Sequence, residues 1–298
     1  MKLIDNRLCR RGLLIGLGAT GLSACHWGKK DDSKLAARSA SGLANPAASL
    51  QAVVDGAWRA PADRARDRWR HPVDSLTFWG LKPGMTVAEF WPGAGWYTDI
   101  LAPYLAQTGG TLYAVNVEPA SPAAAQMVDV YRRRLEARPA LYGKVQITAF
   151  GATSSAVAPA GSCDMVLFLR NLHDWMHGGI AEKAFHEAFQ ALKPGGVLGI
   201  EEHRATPGGV QDVLATNGYV QEAYVQQMAK EAGFRFEAAS EISANPKDSR
   251  DHPFGVWTLP PTLRTAPDGQ PPNPKFDTAP YQAIGESDRM TLRFRKPK

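Results

Sequence analysis

From about residue 50 onward, short apolar runs alternate with stretches of helical periodicity. Residues 86–90, Thr-Val-Ala-Glu-Phe, lie between Pro83-Gly84 and Pro92-Gly93, which predicts a short buried strand. The stretch 95–107 follows with Tyr97, Ile100, Leu101, Tyr104 and Leu105 at helical spacing. Strands are expected at 111–117 and 145–150, separated by a helix at 122–138 that carries the run Arg132-Arg133-Arg134. Residues 164–169 are too apolar to have a solvated face and predict a central strand. A helix at 180–192 presents Phe185, Phe189 and Leu192 on one side. Lys193-Pro194-Gly195-Gly196 ends it and turns into a strand at 197–201. A further helix at 219–232, a strand at 234–238 and a last strand at 290–295 complete the pattern.

Repeated strand–helix units with apolar central strands imply a mostly parallel sheet covered on both faces. The expectation is an α/β, Rossmann-like three-layer sandwich occupying residues 47–298. Ligands in such folds sit beyond the carboxyl ends of the strands, near the reversal of strand order. Nine of the 22 prolines fall between Ala244 and Pro280. So long a stretch without periodicity, 244–285, is either a functional loop, a segment wrapping the surface, or a disordered insertion.

The charge distribution changes the first impression of a basic protein. The formal charge is +5, but Lys2, Arg7, Arg10 and Arg11 against Asp5 give residues 1–24 a charge of +3, leaving about +2 for the body. Those 24 residues read as a signal peptide: a basic start, then the weakly apolar stretch 12–24, shorter than the roughly 20 residues a spanning helix needs. The segment ends Leu22-Ser23-Ala24-Cys25, which resembles the lipobox of bacterial lipoproteins, and this implies acylation of Cys25. The expected product is exported, held at the periplasmic face of a membrane by its lipid, with 25–46 as a flexible tether. A nucleic-acid partner is not indicated once the basic leader is set aside. Only Cys163 then remains in the body, so no intramolecular disulfide forms.

The chemistry concentrates where the first strand ends. Glu89-Phe-Trp-Pro-Gly-Ala-Gly-Trp-Tyr97 joins a buried acid to a Gly-rich turn that opens a helix. Gly93 and Gly95 permit close backbone approach, and helix N–H groups face a bound anion there. Thr98 occupies the third position of a G-x-G-x-x-G fingerprint, which disfavours a dinucleotide enzyme.

This segment resembles motif I of the class I S-adenosylmethionine-dependent methyltransferases, an acid-x-G-x-G-x-G pattern. Glu89 matches the acid, Gly93 and Gly95 the second and third glycines, and Trp91 replaces the first. Asp164-Met-Val-Leu, Leu192-Lys-Pro-Gly-Gly196 and Glu231-Ala-Gly-Phe234 are similar to the family's fourth strand, the turn before the fifth and the start of the sixth. Trp91-Pro-Gly-Ala-Gly-Trp-Tyr97, Glu202-His-Arg-Ala205 and the ending Ser287-Asp-Arg-Met look like a group of exported bacterial methyltransferases. The resemblance implies a seven-stranded sheet with an antiparallel last strand. It also implies S-adenosyl-L-methionine as cofactor, held by Glu89, Gly93, Gly95, Trp96 and either Asn116 or Glu118 at the ribose.

Methyl transfer needs nucleophile and methyl held together in a dry site, with a base where the nucleophile carries a proton. The loop 170–175 lies where the family keeps its substrate residues. There His173 is the candidate base, with Asp174 and Asn171 as partners; a helix cap built from the same residues is the competing account. No compact ligand spacing supports a metal, so none is assigned; His173, His177, His203 and Glu201 would be the set to test. Trp96, Tyr97 and Trp175, with Trp79 and Trp91, are candidate pocket walls or core. Residues 59–71 interleave five arginines with Asp63 and Asp67, as a solvated helix face or as a lid over the site. The expected activity is a methyltransferase acting on a small or lipid-like acceptor, the alternative being an exported binding or assembly protein that reuses the fold without catalysis.

Overall fold

The computed structural model describes residues 46–298; the leader, Cys25 and all but the last residue of the tether lie outside the described residues. Four short helices come first: α1 (Pro46–Val54), α2 (Pro61–Arg64), α3 (Asp67–Arg70) and α4 (Pro72–Trp79). The alternating part follows as β1 (Thr86–Phe90), α5 (Thr98–Thr108), β2 (Thr111–Val117), α6 (Pro122–Glu136), α7 (Pro139–Tyr142) and β3 (Val145–Phe150). Then come β4 (Cys163–Leu169), α8 (Leu172–His177), α9 (Ala181–Ala191), β5 (Leu192–His203), α10 (Glu222–Glu231) and β6 (Arg235–Ser240). The chain closes with β7 (Pro253–Val256), α11 (Ala279–Ile284) and β8 (Arg289–Arg295).

Seven strands form one sheet in the order β3-β2-β1-β4-β5-β8-β6. The pairs β1–β2, β1–β4, β2–β3 and β4–β5 are parallel, whereas β8 is antiparallel to both β5 and β6. This is the Rossmann-like sandwich expected from the sequence, with the antiparallel strand inserted between β5 and β6 rather than at an edge.

Period-2 alternation sorts the central strands onto two cores. Ala88, Phe90, Val166 and Phe168 face the side packed with Trp175 and Phe185, while Val87, Met165 and Leu167 face the side packed with Ile100, Leu101 and Trp79. Sequence predicted β5 from Val197, but its ladder begins at Leu192. The Lys193–Gly196 turn is absorbed as an irregularity between Cys163 and Met165 in the pairing with β4. Gly199 in β5 has a steric reason to be glycine: an added Cβ would lie 2.7 Å from the Trp79 indole and 2.8 Å from Leu167. α6 starts where Ser121 accepts a hydrogen bond from the Ala124 amide, with Pro122 behind it.

Among the described residues no helix is long and apolar enough to cross a membrane. The Pro-rich segment is ordered and lies at the carboxyl edge of the sheet. Asp248 accepts from the Tyr219 hydroxyl and the Asp288 amide, and Asn245 donates to the Ile284 and Glu286 carbonyls. Of the alternatives, the insertion is therefore a wrapping segment that also walls a cavity.

Candidate functional site

Two neighbouring loops build the site, after β1 and after β4. Beyond Phe90 the chain reverses through Trp91 (φ 44°), Gly93 (φ 58°) and Gly95 (φ 90°), all left-handed. At Gly93 nothing lies within 4 Å of where a Cβ would be, so this face of the turn is open. Gly95 is constrained differently: a Cβ would meet Arg134 Nη1 at 2.6 Å, and that guanidinium pairs with Asp99 at 2.5 Å. Asn171 Nδ2 donates to the carbonyls of Phe90 and Trp91, both at 3.1 Å, and so fixes the first loop to the second.

Glu89 is buried and accepts a 2.8 Å hydrogen bond from Thr98 Oγ1. Burial pushes its carboxyl up to about 7, against the opposing pull of that hydrogen bond. At the end of β2, Asn116 is buried with its Nδ2 donor unpartnered among the described residues. Glu118 is turned toward Thr153, accepting from its amide at 3.1 Å and its hydroxyl at 2.5 Å. An orphaned donor on β2, an open glycine turn and a buried acid on β1 fit a cofactor with ribose hydroxyls and an amino-acid end.

Trp91 is the departure. Its indole Nε1 donates to the Phe150 carbonyl at 3.0 Å and its ring packs edge-on to Trp175, so it reaches from β1 to the end of β3 across β2.

His173 is buried, with Nδ1 2.9 Å from Glu202 Oε1. An ionised carboxylate only accepts, so Nδ1 carries the proton and Nε2 is the basic nitrogen. Burial pulls His173 down, but the Glu202 carboxylate outweighs it and raises the imidazole above its usual value. Glu202 also accepts from the Leu172 and His203 amides at 2.7 and 2.8 Å. The cap of α8 is thus Glu202 from β5, not Asp174 or His173. Asp174 is half exposed, 3.6 Å from His173 Nε2, and burial raises its carboxyl. His203 sits beside His173, ring centroids 5.2 Å apart, and is driven well below its usual range first by burial and then by His173 and three arginines.

The arginines of 59–71 depart from a solvated face. Arg59 and Arg70 are buried; Arg59 pairs with Asp67 at 2.6 Å, and Arg70 and Arg66 converge on Glu286 at 2.9 and 2.7 Å. Arg289 links Glu286 (3.0 Å) to the fully buried Glu201 (3.3 Å), which also holds Arg170 at 2.5 Å. Burial alone would raise Glu286, yet Arg70, Arg289 and Arg66 hold it at about 2.

A cavity of about 190 Å³ opens between this cluster and His173, walled by Arg70, Arg170, His203, Trp257, Pro261 and Ser287. Trp257 packs edge-on to His173 and was not singled out by its sequence context. The aromatic walls proposed from sequence are placed otherwise: Trp79, Tyr97 and Trp175 are core. Trp96 packs between Arg59 and Arg70 and donates its indole N–H to the Asp63 carbonyl, so its side chain serves the N-terminal helices. Of the conceivable metal set, His177 is exposed and Glu201 is taken by arginines; the ligand-capable group brought together is His173, Glu202 and His203.

Residues 92–200 match the methyltransferase domain family. No curated protein matches the chain. Solved structures with a similar course include a SAM-dependent methyltransferase from Aquifex aeolicus (20% identity, 67% of this chain and 93% of that one, TM-score 0.49). Another is phosphoethanolamine N-methyltransferase 2 from Haemonchus contortus in complex with S-adenosyl-L-methionine (16%, 77% and 53%, 0.46). A third is a possible exported protein from Bordetella parapertussis (19%, 90% and 84%, 0.44).

Proposed function

We propose that this chain, which carries a methyltransferase domain at residues 92–200, is an S-adenosylmethionine-dependent methyltransferase whose acceptor enters the cavity beside His173. The observation that carries this reading is the junction of two loops at Asn171. It joins an open glycine turn, of the kind that holds the cofactor in such domains, to a histidine oriented by a buried carboxylate.

Glu89, the turn at Gly93 and Gly95, and Asn116 with Glu118 would hold the cofactor, which supplies an electrophilic methyl on a sulfonium. The methyl would pass to the acceptor's nucleophilic atom as the methyl–sulfur bond breaks, the cofactor leaving as a neutral thioether, and His173 Nε2 would take the proton that the acceptor gives up. Glu202 stabilises the resulting imidazolium and fixes the ring through Nδ1, and Asn171 keeps the loop carbonyls in place. Trp257 and the Pro-rich wall limit water at the basic nitrogen.

Trp91 favours a second reading. An indole where the family has its first glycine suits a binding protein that keeps the fold without turnover. Calorimetry of the full chain with S-adenosylmethionine and its demethylated product separates the two. Binding below millimolar concentration supports the enzyme, and no binding removes it. His173→Gln should keep that affinity and lose methyl transfer at least a hundredfold. The proposal extends to location: the basic leader and Cys25 support an exported, lipid-anchored protein. Cys25→Ser should then abolish labelling with radioactive palmitate, and retained label would refute the anchor.

A further inference from the structure

The cavity beside His173 is unusual in its charge. Arg66, Arg70, Arg170 and Arg289 surround it or back onto it, and the carboxylates they share are Glu201 and Glu286. Asp174 stands at the rim, and Glu202 is occupied on its far side by His173 and two backbone amides. Arg66 is partly exposed and also lies 4.0 Å from Asp63, so the three more deeply buried guanidiniums, Arg70, Arg170 and Arg289, exceed Glu201 and Glu286 by one positive charge. Burial of a guanidinium without a counter-charge is costly, and Arg70 responds by falling to about 9 under burial and the repulsion of Arg170.

The donors point the same way. Arg70 donates to Glu286 through Nε, and Arg170 to Glu201 through Nη1. Among the described residues their remaining N–H groups have no acceptor, and both side chains line the cavity. Ser287 Oγ, 2.5 Å from His203 Nδ1, adds a hydroxyl to the same wall. Planar forks with free donors, 190 Å³ of space and one basic nitrogen suit a small head group rather than a drug-sized molecule.

We propose that the acceptor carries an oxyanion, a carboxylate or a phosphate, which Arg70 and Arg170 grip so that its nucleophilic atom lies against His173 Nε2. That the bound anion is the methyl acceptor rests on the methyltransferase reading, whereas the anion site rests on the cavity alone. The alternative occupant, a divalent cation on His173, Glu202 and His203, would sit against the repulsion of the guanidiniums of Arg70 and Arg170, which line the same cavity as His173 and His203.

The test is isothermal titration of the full chain with inorganic phosphate, with acetate and with neutral acetamide, each with and without a chelator. The expected result is chelator-insensitive binding of phosphate or acetate and none of acetamide; which oxyanion binds tighter decides between phosphate and carboxylate. Arg70→Gln should weaken that binding at least tenfold. Arg70→Lys, which keeps the pair with Glu286 and loses the fork, should weaken it severalfold with the fold intact by circular dichroism. Equal binding of acetamide, unchanged affinity in folded Arg70→Lys and Arg70→Gln, or binding that appears only with added Zn²⁺ overturns the proposal. S-adenosylmethionine titrated into the same samples separates the failures. Lost anion binding with retained cofactor binding refutes the oxyanion site alone, and the reverse refutes the methyltransferase reading alone.

Discussion

Glu89→Gln offers the sharpest check on how this site is built. The carboxyl is buried between Thr98 and the β1 core, and burial lifts it from 4.5 to about 7. In the unfolded chain it ionises near its ordinary value, so between those two pH values the native state holds more protons than the unfolded one. Stability therefore falls as pH rises through that window and levels off above it. A displacement of about 2.5 units corresponds to about 3 kcal/mol at pH 8, using about 1.36 kcal/mol per unit. Glutamine has the same shape, still accepts from Thr98 Oγ1, and does not titrate. Urea unfolding of both chains at pH 4.5, 6, 7 and 8 should show nearly equal stability at pH 4.5. The variant should gain progressively, by about 3 kcal/mol at pH 8. Other titrating groups are common to both chains and cancel in the difference. Parallel profiles, or a variant that is less stable at pH 8, would refute the reasoning. The same substitution should weaken S-adenosylmethionine binding, because it removes the acid at the end of β1; gained stability with lost affinity is the signature of a functional residue.

Glu286→Gln removes the carboxylate shared by Arg66, Arg70 and Arg289 and should destabilise the chain by about 3 kcal/mol at pH 7, read from urea midpoints. Because those arginines hold Glu286 at about 2, its contribution is present above the unfolded value of 4.5 and lost as pH falls toward 2. The two chains should therefore converge in acid titrations monitored by circular dichroism. Gly199→Ala forces a methyl against Trp79 and Leu167 and should cost about 1–3 kcal/mol in thermal or urea unfolding, with no change in oxyanion binding.

Several strands of the alternating part were legible because they are short runs bracketed by glycine or proline, whereas the start of β5 was not, since its ladder takes in the Lys193–Gly196 turn. The residues at 86–90, 111–117 and 145–150 form strands at the positions their sequence predicts. The glycine turn and the loop at 170–175 were legible for the same local reason: chemistry and turn residues lie side by side in the chain. The arginines of 59–71 were not. Their alternation with aspartates leaves a wet helix face and a lid both open, and it takes contact with Trp96 and with Glu286, more than 200 residues away, to bury Arg70 at the cavity.

What the sequence by itself determined is therefore the strand–helix alternation of a mostly parallel sheet and the position of the glycine turn, since local periodicity and turn chemistry specify these. The seven strands and the antiparallel last one followed from the family resemblance. Tertiary structure decided which polar groups share a cavity. Glu202 orients His173 from the next strand, Arg70 arrives from the N-terminal helices, and Trp257 comes from the Pro-rich segment. Glu202 and Arg70 stand in stretches the sequence marks and Trp257 is not singled out in its own, but nothing local pairs any of them with His173. Their effect depends on distance and burial, which set hydrogen bonds and pKa values and which no local pattern encodes.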